Sequence, residues 1–401
     1  MDDLLSDDIR AVRESIIRFA QTEVVPAMPE YERRKEFPRP LVAKMGAGGF
    51  FGCAFPTSLG GTELGFLAAA VINEELARLA PGFSMIYNLQ GMTCPYSIHA
   101  GGIKRQIETY IPPIIGGRAI GLWSLTESRG GSDAAGNMRT VAKRDGDVYR
   151  LTGEKMFATL ANETDTGVLY AKTDPSAGIK GITAFLVEPK KYPGWNAKPI
   201  DFVGLSKSLR SCTVQLDNFV VPAENRIGAE GEGFRIAMHA VQAGRVVVGA
   251  RGIGIARACI EQAIEYAKTR MVRGKALATY QMVQADLADV ITQVEAARSL
   301  IYQAAISMDR DLPSNKIASL AKYAAGLALK QAAAKCSEVF GGYAIAEEYP
   351  ISKLTAYAHL FHIGEGAPAV QRILIAEDAF GIKNADRHVT SYRLTPRKAA
   401  E

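Results

Sequence analysis

The strongest constraint on how this chain folds is a change of texture that occurs twice along it. From Gly233 onward a helical period runs almost to the end, in stretches of about Ile236 to Val272, Met282 to Met308 and Asn315 to Val339, the last stopped by Gly341-Gly342. Ahead of it, from about 118 to 225, short β-rich runs (Ile120 to Thr126, Val148 to Leu151, Val168 to Lys172, Ile182 to Val187) alternate with Asp-Gly, Pro and Asn turn signals. Residues 1 to about 115 are again helical, with Phe66 to Ala77 the clearest segment, and Pro112-Pro113 with Gly116-Gly117 close that section. The chain is therefore expected to be α+β: an N-terminal helical domain over 1–117, a middle β-domain over 118–228 and a C-terminal helical bundle over 229–401. The alanine-rich face Ala321, Ala324, Ala325, Ala328, Ala332 and Ala333 permits close helix packing, with four-helix packing the natural result and apolar stripes left for subunit contacts.

With 48% hydrophobic and 22% charged residues, the 401-residue chain reads as a soluble globular protein. Met1-Asp2-Asp3 followed by an amphipathic pattern is not a secretory signal, and no apolar run approaches the ~20 residues of a membrane span. Five scattered cysteines without C-x-x-C spacing argue against a disulfide framework, so a reducing cytoplasm is expected. Five histidines offer no H-E-x-x-H; His359 and His362 fit helix packing better than a zinc site, and no metal is expected. The net charge of +5 is spread along the chain, densest at Arg33-Arg34-Lys35 and near Arg393 and Arg397-Lys398. That is compatible with an anionic small molecule such as a nucleotide thioester, and not with a nucleic-acid surface.

One peptide carries the most chemistry. Gly364-Glu365-Gly366-Ala367-Pro368 places a carboxylate between two glycines just ahead of a proline fit for the first turn of an apolar helix, Val370, Ile373, Leu374. Glu365 would point into a cavity outside a helix N-terminus, where burial raises its proton affinity toward the working range of a general base. Taken alone, the same peptide describes an ordinary helix start with a surface glutamate. The run Gly252-Ile253-Gly254-Ile255 lies inside a helical pattern and reads as close helix packing, so no G-x-G-x-x-G dinucleotide fingerprint is present.

Two further stretches make the pattern specific: Leu122-Trp123-Ser124-Leu125-Thr126-Glu127-Ser128-Arg129-Gly130-Gly131-Ser132-Asp133 and Gly153-Glu154-Lys155-Met156-Phe157-Ala158-Thr159. They resemble the two β-domain signatures of the acyl-CoA dehydrogenase family, and Phe340-Gly341-Gly342-Tyr343-Ala344, Tyr349-Pro350 and Glu365-Gly366 follow in family order. The resemblance implies a helical domain, a β-barrel-like middle domain and a C-terminal four-helix bundle. It also implies FAD as cofactor and α,β-dehydrogenation of an acyl-CoA thioester, with Glu365 taking the α-proton and flavin N5 the β-hydride. Leu125, Thr126, Ser132, Phe157 and Thr159 would then be cofactor-binding residues, with Phe157 covering a ring face. Arg270, Gln281, Gly341 and Gly342 would serve the pyrophosphate and adenosine end of a flavin held mainly by a neighbouring chain. Ser132, Arg245, Gly364 and Gly366 would meet substrate. A homotetramer and an electron-transferring flavoprotein as acceptor are implied in the same way. A relative acting on a carrier-protein-bound acyl chain, an enoyl reductase, and a non-catalytic flavoprotein are the alternatives, the last disfavoured by the retained Glu365 and the diffuse charge.

The chain also departs from the family pattern. Gly364 stands where an aromatic residue is common beside the base, Ala367-Pro368 where Thr-Ser is frequent, and no arginine occurs in Phe83-Ser84-Met85-Ile86, where glutaryl-oxidising relatives carry one. Space beside the base should be filled, either by a bulky cyclic or aryl acyl group or by Trp123 or Tyr87 swinging in.

Overall fold

The computed structural model describes residues 5–312 and 315–381, so the basic positions near Arg393 and Arg397-Lys398 lie outside the described residues. Helix α1 (Asp7–Phe19) starts at Ser6, whose hydroxyl accepts the Ile9 N–H, with Asp7 and Asp8 in its first turn. It runs through a π turn into α2 (Val25–Arg34), followed by α3 (Arg39–Ala47), α4 (Gly65–Leu79), α5 (Met85–Asn88), α6 (Cys94–Gly101) and α7 (Lys104–Ile115).

The middle segment folds into eight strands: β1 (Gly121–Ser124), β2 (Val141–Asp145), β3 (Val148–Thr159), β4 (Thr166–Lys172), β5 (Ile182–Val187), β6 (Trp195–Pro199), β7 (Ser211–Pro222) and β8 (Arg226–Ile227). They form one sheet in the order β6-β7-β3-β2-β4-β5-β8, with β1 parallel to β4. Strands β4 and β5 are buried at every residue. Val168 and Tyr170 join the large core shared with the helices, whereas Leu169 and Ala171 face a second core within the sheet domain. A strand covered on both faces carries a continuous apolar run, which is why these two were the clearest in the sequence. Strands β2, β6 and β7 keep polar, exposed positions and gave no such signal.

The remainder is helical: α8 (Gly233–Thr269), a short hairpin β9 (Met271–Val272) and β10 (Lys275–Ala276), then α9 (Gln281–Asp309), α10 (Asn315–Phe340), α11 (Pro350–Ile363) and α12 (Pro368–Ala379). Helix α8 is the axis, packed by α4, α9, α10 and α11, and α4 and α9 also touch each other. At Gly254 a Cβ would fall 2.1 Å from the Glu74 carbonyl oxygen, so the glycine is required for the α4–α8 crossing. Asp309 ties the bundle to the first domain by accepting the Phe66 and Leu67 N–H groups at 2.6 and 3.1 Å, capping an α4 that lacks its own capping side chain. Buried Glu75 of α4 pairs with Arg13, Arg78 and Arg257 at 2.8, 2.6 and 2.9 Å. Burial alone would raise its pKa, but the Arg257 and Arg78 charges win and hold it down to about 2. Among the described residues no helix is long and apolar enough to cross a membrane.

Candidate active site

A cavity of about 1390 Å³ opens where the three domains meet. Its sheet-domain wall is built from the two signature stretches, and a buried ion pair locks them together. Lys155 Nζ donates to Glu127 at 2.8 Å and to the Leu125 carbonyl at 3.2 Å, while Glu127 also accepts the Arg139 and Thr140 N–H groups. The Met156 N–H donates to the Thr126 carbonyl at 2.9 Å, a second link between the same stretches. Between Lys155 and Ala158 the β3–β7 register slips by one residue, and Phe157 takes the left-handed region at φ +57°. This bulge turns Phe157 out of the sheet, leaving it 54% exposed on the cavity wall against Phe202, ring centroids 6.2 Å apart.

Glu365 sits on the opposite wall, in the four-residue link between α11 and α12. Gly364 ends α11 by donating its N–H to the Leu360 carbonyl, and Pro368 opens α12. Between them Glu365 is left-handed at φ +57° and Gly366 at φ +97°. A left-handed L-residue costs about 1–2 kcal/mol, a cost the surroundings have to hold in place. Lys322 of α10 does part of this, donating to the Phe361 and His362 carbonyls at 3.1 and 2.9 Å at the end of α11. Gln371, fully buried, donates to the Gly366 carbonyl at 3.2 Å, and a Cβ on Gly366 would collide with its amide at 2.3 Å.

The Glu365 carboxylate is enclosed, although the residue as a whole keeps intermediate exposure. Desolvation raises its pKa; the hydrogen bond from Asn88 Nδ2 at 2.6 Å opposes this, as do the charges of Arg251, Arg245 and Lys322. Its other oxygen faces α8 at Gly244, where a Cβ would lie only 3.2 Å away. Burial also lowers the Lys322 pKa to about 8, against the pull of Glu365. The result is a carboxylate whose proton affinity is raised yet whose charged form is supported, as a base working near neutrality requires.

Leu125, Thr126, Ser132, Phe157 and Thr159 line this cavity from the sheet domain, and Arg245, Gly364, Glu365 and Gly366 from the helices. Arg270, Gln281, Gly341 and Gly342 do not; they are exposed at the far end of the bundle, where the Arg270 guanidinium lies 6.0 Å from the Tyr343 ring centroid. Neither side chain expected to swing in beside Gly364 is free to do so. The Tyr87 hydroxyl is tied to the Phe50 carbonyl at 3.0 Å within the core, and the Trp123 indole N–H is shared between Ser97 and Tyr170, both at 3.0 Å. Sequence reading missed Asn88, which only the fold brings to Glu365 across 277 positions, and the Glu127–Lys155 pair, although both residues stand inside the signature stretches. It also missed Arg251 of α8, which lines the cavity together with Arg245 and whose charge acts on Glu365.

Three family models match in chain order: acyl-CoA dehydrogenase N-terminal domain over residues 6–118, middle domain over 123–219 and C-terminal domain over 231–380. Subunit CarC of the caffeyl-CoA reductase–Etf complex of Acetobacterium woodii is 36% identical over 92% of this chain and 98% of its own length. The 3-(aryl)acrylate reductase of Clostridium sporogenes is 36% identical over 90% of this chain and 95% of its own. Among solved structures, a glutaryl-CoA dehydrogenase in complex with glutaryl-CoA superposes with a TM-score of 0.92 at 32% identity, covering 96% of this chain and 98% of that one.

Proposed function

The chain belongs to the acyl-CoA dehydrogenase family, and on that premise we propose that Glu365 is the general base that removes the α-proton of an acyl-CoA thioester. The protein is a flavin-dependent oxidoreductase with FAD as cofactor, catalysing dehydrogenation of the acyl-CoA dehydrogenase type. The sheet-domain wall fits a flavin: Phe157 offers an exposed aromatic face, with Leu125, Thr126 and the Thr159 hydroxyl on the same wall and Ser132 at its rim. When bound, FAD supplies at N5 the hydride acceptor that no side chain provides.

The observation that carries the reading is the state of Glu365: enclosed, left-handed, bonded by Asn88 and flanked by glycines that let an acyl chain approach. The α-proton passes to its carboxylate, whose proton affinity burial has raised, while Arg245, Arg251 and Lys322 compensate the charge before transfer. Ser132 and Arg245 are assigned to substrate. Arg270, Gln281, Gly341 and Gly342 are assigned to the flavin of a neighbouring subunit in a homotetramer. Exposed Met271, Met282, Tyr343 and Ile345, adjacent to them in sequence, support a subunit contact there.

Beside Gly364 a Cβ would meet only the Leu360 carbonyl oxygen, at 3.3 Å, so the room left by the missing aromatic is open. This supports a bulky cyclic or aryl-substituted acyl group. Two relatives named as reductases, one a subunit of an Etf complex, support a second reading in which the same site runs as an enoyl-thioester reductase fed by an electron-transferring flavoprotein.

The purified protein should be yellow and should bleach anaerobically with an acyl-CoA. Glu365→Gln should keep its flavin and lose at least ~10³-fold in rate. Near-normal turnover of that variant would remove Glu365 from the role, and a reconstituted protein without flavin would end both readings.

A further inference from the structure

Part of the cavity wall is made by chain that belongs to no strand or helix. Between the end of β6 at Pro199 and the start of β7 at Ser211, an irregular link gives Phe202, Val203 and Leu205 to the cavity lining. Side chains hold this link in place. Glu32, in the last turn of α2, accepts the Ser206 hydroxyl, the Lys207 N–H at 2.6 Å and the Ser208 hydroxyl at 2.6 Å. Lys207 Nζ turns back to donate to the Phe202 carbonyl at 3.1 Å, which closes the link on itself. A carboxylate in a last helical turn opposes the helix dipole, and the neighbouring Arg33 and Arg34 pair with Glu30 instead, so what Glu32 stabilises is the link.

Ser206 and Ser208 are buried, so water does not readily replace their bonds to the carboxylate. The same spot meets the third domain. A Cβ on Gly204, at φ +73°, would fall 2.6 Å from Ala356 Cβ, and one on Gly82 would fall 2.7 Å from the Tyr357 hydroxyl and 3.3 Å from Ser206 Cβ. The link is therefore seated on α11, where Tyr357 stacks on Phe361 with ring centroids 6.0 Å apart, and Phe361 lines the cavity four residues ahead of Glu365. On its other side the link carries Phe202 to within 6.2 Å, centroid to centroid, of Phe157, the ring that the β3 bulge turns out of the sheet. A ring as exposed as Phe157 takes its orientation from what backs it, and Phe202 stands in that place.

We propose that Glu32 is a positioning residue for the flavin-facing wall: through Ser206, Lys207 and Ser208 it keeps Phe202 behind Phe157, so that the Phe157 ring stays over the cofactor and keeps water and dioxygen from it. The inference rests on the reading of Phe157 as a residue that covers the flavin. Glu32 does not itself line the cavity. It acts from the first domain on a link of the second, at a point where the third is also in contact, so the shielding of the cofactor depends on how all three domains are docked.

The test compares holoenzymes of wild type, Glu32→Ala, Glu32→Gln and Phe202→Ala in three measurements made without acyl substrate. The first is reoxidation of the dithionite-reduced protein in aerated buffer, in which dioxygen takes two electrons and two protons from the reduced flavin and leaves hydrogen peroxide. The second is iodide quenching of the bound flavin's fluorescence, and the third is tryptic cleavage after Lys207. Glu32→Ala should raise reoxidation at least fivefold and the quenching constant at least threefold, with faster cleavage. Glu32→Gln, which still offers an oxygen to the serine hydroxyls, should fall between it and wild type. Phe202→Ala removes the ring but leaves the clasp, and should raise reoxidation and quenching without faster cleavage. Faster cleavage and a lower melting temperature in Glu32→Ala, with reoxidation and quenching within twofold of wild type, overturns the inference and leaves Glu32 a tie between domains; so does a Phe202→Ala protein with wild-type reoxidation and quenching. If Glu32→Ala does not fold, the Ser206→Ala/Ser208→Ala double variant and Phe202→Ala decide by the same readings. Wild-type quenching in Phe157→Ala would instead remove the flavin from this wall and strike the cofactor assignment of Phe157 itself.

Discussion

Asn88→Ala isolates the contribution of one hydrogen bond to the Glu365 carboxylate, the base we propose. The Asn88 amide donates to Glu365 Oε1 at 2.6 Å from a residue that is itself 7% exposed, so water does not readily replace it. A hydrogen bond to a charged group is worth roughly 1.5–3 kcal/mol, which corresponds to about a 10- to 150-fold change in an equilibrium or rate. The bond favours the charged carboxylate, so its loss raises the proton affinity of Glu365 further above the ordinary carboxylate range. The sign follows: kcat/KM falls most at low pH, the acid limb of its profile moves to higher pH, and the deficit shrinks once the base is fully ionised. Stopped-flow flavin reduction from pH 5.5 to 9 measures this directly. Asn88→Asp, which places a second carboxylate beside the first, should move the limb further in the same direction. A loss under threefold, or a larger one independent of pH, would mean that Asn88 only packs against the loop.

Glu75 should dominate acid sensitivity. A carboxyl held at about 2 in the folded protein stabilises it above the usual carboxylate range by roughly 3 kcal/mol, lost as pH falls from about 5 toward 2; Glu75→Gln should be less stable at pH 7 and lose less on acidification, and an unchanged steepness in urea melts at pH 6 and 3.5 would refute this. For the acyl group, cyclohexanecarboxyl- or phenylpropionyl-CoA should exceed butyryl- and octanoyl-CoA in kcat/KM by a ratio and not an exclusion, because one misfitting methylene is worth only ~1–3 kcal/mol. A tenfold advantage for either straight chain would show that the room beside Gly364 is closed. Sedimentation should give a flavin-replete homotetramer, with Arg270→Ala lowering flavin content; a fully active flavin-replete monomer would remove Arg270, Gln281, Gly341 and Gly342 from the cofactor.

What could be read in the sequence follows from which signals are local. The long helices were visible because alanine faces and glycine stops repeat within a few turns, and β4 and β5 because burial on both faces makes their runs continuously apolar. Strand β7 was not, since its exposed positions dilute the pattern and its pairing with β3 includes register shifts that no local rule anticipates. The Glu365 loop was legible for the same reason as the helices: two glycines and a proline specify backbone over four residues, and the backbone adopts the left-handed turn they permit. Its electrostatic surroundings were not, because Asn88, Arg251 and Lys322 come from three separate helices and acquire meaning only through packing. Asn88 has no motif around it, and Arg251 reads in sequence as one more basic residue on a helix. Local chemistry therefore marks where a base can be mounted. The groups that set its proton affinity are chosen by tertiary contact, so an asparagine or arginine of unremarkable sequence context can govern the site as strongly as the glutamate between its two glycines.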